Sequence, residues 1–459
     1  MHQRKFNKIK FLIILIGLSF QTGLLSVVSK DNFFVGKFLN INCYASGSGF
    51  PIFSPIKKDT SGLILNLMKE NQSFFQHYLD SAKEFEIQII YTQINRDKKN
   101  KPSFIQYSYR LNDNEYFCPA STSKLPVLLV ALEKINKLGN KGIDKYTAMQ
   151  FDSAWVCQTK SLKDTIAPDS ILNVAHYIQK ILLVSNNDAH NRLFEFVGQQ
   201  PLNERLWKMG FKKTFLIQQF NNCNADENRY SNPVSFVDKS EKVLYAQPLV
   251  ENKNIYKNPL GPIMKGKGII DDSGKFVPQP RDFTFYNNMP LQDLNNIMLK
   301  VVFPDAFPKW KRFKIKPDDY CFLYKYMSMY PRESEFPKYH DLERFPDNKK
   351  KYLMFGADSS ASLTDSTIRI FNIVGQLSGY LTDCAYIADF RNNIEFVLSA
   401  TIYNNQSGIF DVSNYRYKRL GFPFLQELGR VIYNYELTRN RKYKPDLSYI
   451  KQCIENPIK

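Results

Sequence analysis

The chain of 459 residues has little of what metal centres and disulfide scaffolds are made from. It holds five histidines, with no His-Glu-x-x-His motif and no Cys/His cluster, so a metal site finds no support. Its seven cysteines (Cys43, Cys118, Cys157, Cys223, Cys321, Cys384 and Cys453) are odd in number and lack both a Cys-x-x-Cys pair and a regular spacing. That excludes a bridge-built scaffold in a chain this long; one or two bridges fit, and sequence cannot pair them. Phosphate loops are missing as well, because Gly47-Ser48-Gly49 and Gly266-Lys267-Gly268 lack a strand before and a helix after them. No cofactor is expected. Acidic side chains are in deficit, 44 against 62 Lys and Arg, for a net charge of +18.

The basic excess is spread along the chain, densest at Lys309-Trp310-Lys311-Arg312-Phe313-Lys314-Ile315-Lys316 and at Lys349-Lys350-Lys351. Either run reads as a solvated loop or as a contact for an anionic cell-envelope surface; a nucleic acid is not expected. Export is expected because residues 1–29 carry Arg4, Lys5, Lys8 and Lys10, an apolar stretch from Phe11, and then Val27-Val28-Ser29, the layout of a secretory signal. Retention as an anchor is the other reading of Phe11 to Val28. Either way the expected address is the periplasm or the cell surface.

Residues 30–75, with Ser46-Gly47-Ser48-Gly49, Pro51 and Pro55, read as a tether, and residues 76–459 as one domain. Strand patterns occur at Glu86 to Asn95 and Phe104 to Arg110, and again after about residue 365, with a helical part between. One sheet should therefore draw strands from both ends of the domain. A last helix from Pro423, apolar at Leu425, Leu428, Ile432 and Tyr435, should pack on it. Residues from about 233 to 360 read as an insertion near the site rim, with a helix over Leu291 to Val302.

Ser121-Thr122-Ser123-Lys124 opens the apolar run from Leu125 to Leu132. In a helix, Ser121 and Lys124 share a face one turn apart. A serine hydroxyl needs a nearby base, and a lysine amine in a low-dielectric pocket can lose its proton and serve as one. The same spacing at Ser54-Pro55-Ile56-Lys57 falls among prolines and reads as a loop. Downstream, Ser185-Asn186-Asn187 interrupts two helices and puts a second hydroxyl and an amide on a turn; His190, close behind, reads as a neighbour rather than a base. Near the C-terminus, Ile373-Val374-Gly375-Gln376 lies in a β-branched stretch.

In this order the segments resemble the three motifs of the penicillin-recognising active-site serine hydrolases, and of class A β-lactamases in particular: Ser-x-x-Lys, Ser-Asp-Asn and Lys-Thr-Gly. Asn186 replaces the middle Asp, and Ile373-Val374 replaces the Lys-Thr of the third motif. The resemblance implies an α+β fold of the β-lactamase/transpeptidase type, an antiparallel sheet flanked by helices plus a helical subdomain, here with a long insertion. It implies that Ser121 attacks a carbonyl, Lys124 acts as its base, Ser185 shuttles a proton and Asn187 holds the substrate amide. Gly375 and Gln376 would line the site, the backbone N–H groups of Ser121 and Gln376 forming the oxyanion hole. For the deacylating carboxylate it points to Glu227, with Asn232 five residues on; Glu204 is the poorer choice. The activity implied is β-lactamase-like hydrolysis of a β-lactam or related amide or ester. The alternatives are a peptidoglycan peptidase or esterase of the penicillin-binding class and an inactive binding protein of the same fold.

Overall fold

β-Branched and aromatic residues come in two blocks far apart in the chain, and in the computed structural model they form a single six-stranded sheet. Residues 56–155, 158–221, 223–358, 363, 367–413 and 415–455 are described. The strands are β1 Lys57–Asp59, β2 Gln88–Arg96, β3 Pro102–Tyr109, β4 Ile368–Leu377, β5 Tyr380–Asp389 and β6 Ile394–Tyr403. Their order is β1-β3-β2-β6-β5-β4, antiparallel throughout except for the parallel β1–β3 pair. Ser378 and Gly379, both at positive φ (52° and 82°), make the two-residue turn between β4 and β5, so Leu377 pairs with Tyr380. One side of β4 is left as a sheet edge.

The helices are α1 Leu63–Glu70, α2 Gln72–Asp80, α3 Lys124–Lys137, α4 Val174–Val184, α5 Asn187–Val197, α6 Gln199–Lys208, α7 Leu291–Val302, α8 Pro317–Ser328, α9 Tyr352–Phe355, α10 Phe422–Thr438 and α11 Ser448–Glu455. Side-chain alternation along the strands divides them between two cores. On one face Ile89, Tyr91, Val374 and Leu381 meet Met68 of α1, Phe75 of α2 and Phe424, Leu425, Leu428 and Ile432 of α10. On the other, Ile90, Phe371, Ile373 and Cys384 meet α3, α4, α5, α7 and α8. This is the α+β arrangement expected, with the helix expected from Pro423, α10, on the sheet; it is not the last, since α11 follows it.

Two boundaries differ from expectation. The domain starts before residue 76: β1 pairs with β3 from Lys57, and Ile64, Met68 and Phe75 are buried under the sheet. These apolar positions recur at helical spacing, a signal that the neighbouring Gly and Pro punctuation obscured. The expected signal and the rest of the expected tether lie outside the described residues. Nor is the stretch from 233 to 360 only rim: α7 buries Leu294, Ile297 and Met298 against the sheet, and its Asn295 bonds Ser399 Oγ at 2.9 Å and Thr92 Oγ1 at 3.2 Å. Cys321 of α8 and Cys453 of α11 form a disulfide. Lys350 and Lys351 are buried, so the run Lys349-Lys350-Lys351 is not a surface patch. Trp310, by contrast, is exposed, with Lys311 over its ring.

Candidate active site

The loop Pro119-Ala120 delivers Ser121 to the start of a helix through a backbone reversal, with Ala120 at φ 47°. A 3₁₀ turn over Ala120–Ser123 runs directly into α3. Thr122 Oγ1 donates to Pro119 O at 2.5 Å and Ser123 Oγ to Ala120 O at 2.8 Å, so both side chains brace the turn rather than face a substrate. Ser121, between them, stays partly exposed. A Cβ on Gly375 would stand 2.5 Å from Pro119 O and 3.2 Å from Ala120 Cβ. Glycine at 375 is therefore what lets β4 approach the Ser121 turn.

Lys124 follows one turn later with its side chain fully buried. Its Nζ lies 2.5 Å from Ser185 O, 3.2 Å from Ser185 Oγ and 2.7 Å from Asn187 Oδ1, with the Phe220 ring centred 4.8 Å away. Burial pushes the amine well below its ordinary pKa, and the charge of Lys350 pushes the same way. Among the described residues no carboxylate opposes these effects. A neutral lysine has two N–H groups and one lone pair. Ser185 O and Asn187 Oδ1 take the two hydrogens, which leaves the lone pair for a hydroxyl. Lys124 makes no direct hydrogen bond to Ser121, a contact that in such sites commonly tightens only with substrate bound.

The turn between α4 and α5 is built from capping chemistry. Ser185 ends α4 in the left-handed conformation (φ 58°, ψ 40°), and Asn186 caps α5 by accepting from Ala189 N at 2.8 Å. An N-cap accepts Asn or Asp alike, which accounts for Asn186 in place of the motif's Asp. Asn187, the first residue of α5, is thereby aimed at Lys124. One turn on, Asn191 accepts from Phe220 N at 2.8 Å and donates to Phe220 O at 3.3 Å, which holds the Phe220 ring over the amine. His190 is buried beside that ring, 5.0 Å between centroids, with neither ring nitrogen hydrogen-bonded. Desolvation holds its pKa well below the usual value, and any proton on Lys124 would push the same way, so it is neutral. Cys118 is also buried, its thiol pushed up to about 11, which removes it as a nucleophile.

At the sheet edge, Lys351 Nζ donates to Ile370 O at 2.7 Å, which shows that the Ile370 carbonyl faces away from β5. Backbone groups alternate sides along a strand, so those of Asn372, Val374 and Gln376 face the same open edge. The Gln376 N–H thus points out next to the Ser121 turn, where an oxyanion donor belongs. Ile373 faces the core and is buried.

Lys124, Ser185 and Asn187 are joined by hydrogen bonds, and Gly375, next to Gln376, packs on the turn that carries Ser121, while Glu227 is placed in a turn of its own. Glu227 begins a 3₁₀ turn, Glu227–Arg229, where it accepts from Asn224 N at 2.7 Å, and it is not among the groups bonded to Lys124. Asn232 is not its partner either: it donates to Glu195 Oε1 from N (3.2 Å) and Nδ2 (3.0 Å) and accepts from Ala154 N and Trp155 N. Burial raises the Glu195 carboxyl to about 7, so that pair braces the loop. Glu204 lies on α6, bonded to Gln200. The sequence reading missed Phe220, whose part is set by position alone, and Asn191, whose spacing of four from Asn187 could have revealed it.

Residues 67–251 match the model of the beta-lactamase enzyme family. No curated protein matches the chain. Among solved structures it is similar to PBP-A at 14% identity and a TM-score of 0.44, covering 83% of this chain and 97% of that one. A beta-lactamase from Xanthomonas campestris pv. campestris is similar at 15% and 0.42, covering 81% and 97%. One from Sphaerobacter thermophilus follows at 12% and 0.39, covering 79% and 96%.

Proposed function

Over residues 67–251 the chain is a divergent member of the beta-lactamase enzyme family, and from that premise we propose that it is a serine hydrolase that works through an acyl-enzyme on Ser121. The observation that carries the reading is the buried Lys124 amine, joined to Ser185 and Asn187 with no carboxylate among the described residues to hold a proton on it. Neutral Lys124 takes the Ser121 proton as Oγ attacks a carbonyl carbon. The N–H groups of Ser121 and Gln376 receive the oxyanion, and Asn187 Nδ2 is available to a substrate carbonyl. Ser185 Oγ, 3.2 Å from Lys124 Nζ, passes a proton to the leaving nitrogen or oxygen as the tetrahedral intermediate collapses. A β-lactam or a related amide or ester fits this chemistry.

Release of the acyl group needs an activated water. The position over Lys124 is filled by the Phe220 ring, and Glu227 is committed to its own turn. Slow deacylation follows, which favours penicillin-binding behaviour over rapid β-lactam turnover. An exported location and a peptidoglycan-derived substrate belong to this proposal. The test is intact mass recorded over time with benzylpenicillin and with a peptidyl ester. A one-to-one adduct that forms on the native protein, decays slowly and is missing from Ser121→Ala is expected. Turnover without an adduct would contradict slow release, and no reaction with either acyl donor would leave a binding role.

A further inference from the structure

Lys350 is a buried cation that the three sequence motifs do not include. It ends the short turn Asp347–Lys350, yet its Nζ reaches the carbonyls of Ile181 at 2.9 Å and Leu182 at 2.8 Å. Those carbonyls belong to the last turn of α4, directly before Ser185. Ile181 O already accepts from Ser185 N at 2.9 Å, and carbonyls at a helix end carry partial negative charge, so an ammonium there stabilises them. The backbone of Lys350 is held in turn by β4: Asn372 Nδ2 donates to Lys350 O and, at 2.9 Å, to Asp383 Oδ1. The next residue, Lys351, bonds Ile370 O and, at 3.0 Å, Asn372 Oδ1. The turn is thus fastened to the strand that carries Gly375 and, through one ammonium, to the helix that carries Ser185.

We propose that Lys350 is the positioning cation of this site: it clamps the end of α4 to the edge of β4 and so sets the Ser185–Asn187 turn against Lys124. The proposal rests on the acyl-enzyme reading above and adds a residue that Ile373, a side chain without a donor, cannot supply. The clamp also acts through charge. Among the described residues Lys350 is the one charged group that acts on Lys124 in addition to burial, and it disfavours a proton there. The groups facing Lys124 are Ser185 and Asn187 from the turn, Phe220 from its loop, and neutral His190 from α5. Facing Lys350 are Lys124, Lys351 and, from β5, Asp383, which partly restores its proton against burial and leaves it at about 7. Arg369 and Glu333 act on Lys351 beyond it. Two buried amines in one low-dielectric pocket resist being charged together, so they titrate as a coupled pair.

The test is the titration of Lys124, followed by NMR in lysine-labelled protein and assigned by the signal lost in Lys124→Arg. Lys350→Met removes the charge, so the Lys124 midpoint should rise by about one pH unit, with acylation near pH 6 falling about tenfold because less of the base is neutral. Lys350→Arg keeps a permanent cation on the same carbonyls, and the midpoint should stay or fall. Thermal melting checks that each variant is folded. A midpoint that does not rise in folded Lys350→Met overturns the proposal. If that variant does not fold, a Lys124 midpoint that rises in Lys350→Arg overturns it equally, and one that stays or falls supports it. The NMR readout needs no substrate: a shift seen in a protein that never acylates would uphold the clamp while sinking the hydrolase reading, and acylation by the native protein without the shift would sink the clamp alone.

Discussion

On the proposed acyl-enzyme mechanism, Phe220 governs the step after acylation. Its ring occupies the space over the Lys124 amine, and Asn191 fixes its backbone there, so an apolar wall stands where a carboxylate could polarise water. Replacing it by Glu puts a base within reach of both Lys124 and the ester, and the Phe220→Glu variant should release its acyl group about 10²-fold faster, measured as the decay of the adduct mass. The same Glu would pair with Lys124 and raise its pKa, so acylation at neutral pH should slow in that variant while deacylation quickens. An adduct as durable as the native one would show that water is kept out by something other than Phe220. Residues of this kind were hidden in the sequence. Ser121 and Lys124 announce themselves by spacing and by an apolar run, whereas Phe220 is one of 36 phenylalanines and matters only through its position. Glu227 is hard to place from sequence for the matching reason: a loop has no period, and a shift of a few residues changes where a side chain points.

At the scale of elements, the turn between α4 and α5 was legible, because a polar Ser-Asn-Asn triplet between apolar helices is a stop and a start in one. Its energetics rest on the cap. Asn186→Ala should cost about 1 kcal/mol in stability and loosen Asn187, while Asn186→Asp should be close to neutral; urea unfolding of both variants checks the pair. Equal losses from Ala and Asp would mean that the side chain does something besides capping. The sheet edge was legible only in part. Gly375 is explained by the approach of Pro119, but the covering of the upper half of β4 by residues 347–352 brings Lys350 and Lys351 from a segment whose lysines, read alone, look like solvent-exposed charge. Burial of a charged run is a tertiary event, decided here by helix-end and strand-edge carbonyls that need donors.

Across the whole molecule, the sheet takes β1 to β3 from before the helical part and β4 to β6 from after it; the two blocks join at the β2–β6 pair, and the site lies at the edge strand β4, where Gly375 packs on the turn that carries Ser121. The alternating strands, α10 and the α7 segment were readable from periodicity; the early helices, the C-terminal helix α11 and the burial of α7 in the core were not, since periodicity gives a face but not its partner. The Cys321–Cys453 bridge joins α8 to the C-terminal helix α11 across 132 residues, and Cys453→Ser should lower stability by about 2–5 kcal/mol in oxidised protein while leaving the acylation rate unchanged, because neither helix carries a site residue. The claim on which all of this depends is that Ser121 is activated by a lysine that is neutral at working pH. The acylation rate of the native protein, measured by mass from about pH 5 to about pH 10, tests it directly. The account predicts a rate that has levelled off near neutral pH, because Lys124 has already lost its proton; a rate still climbing tenfold per unit up to pH 10, as a lysine of ordinary pKa would give, would contradict it.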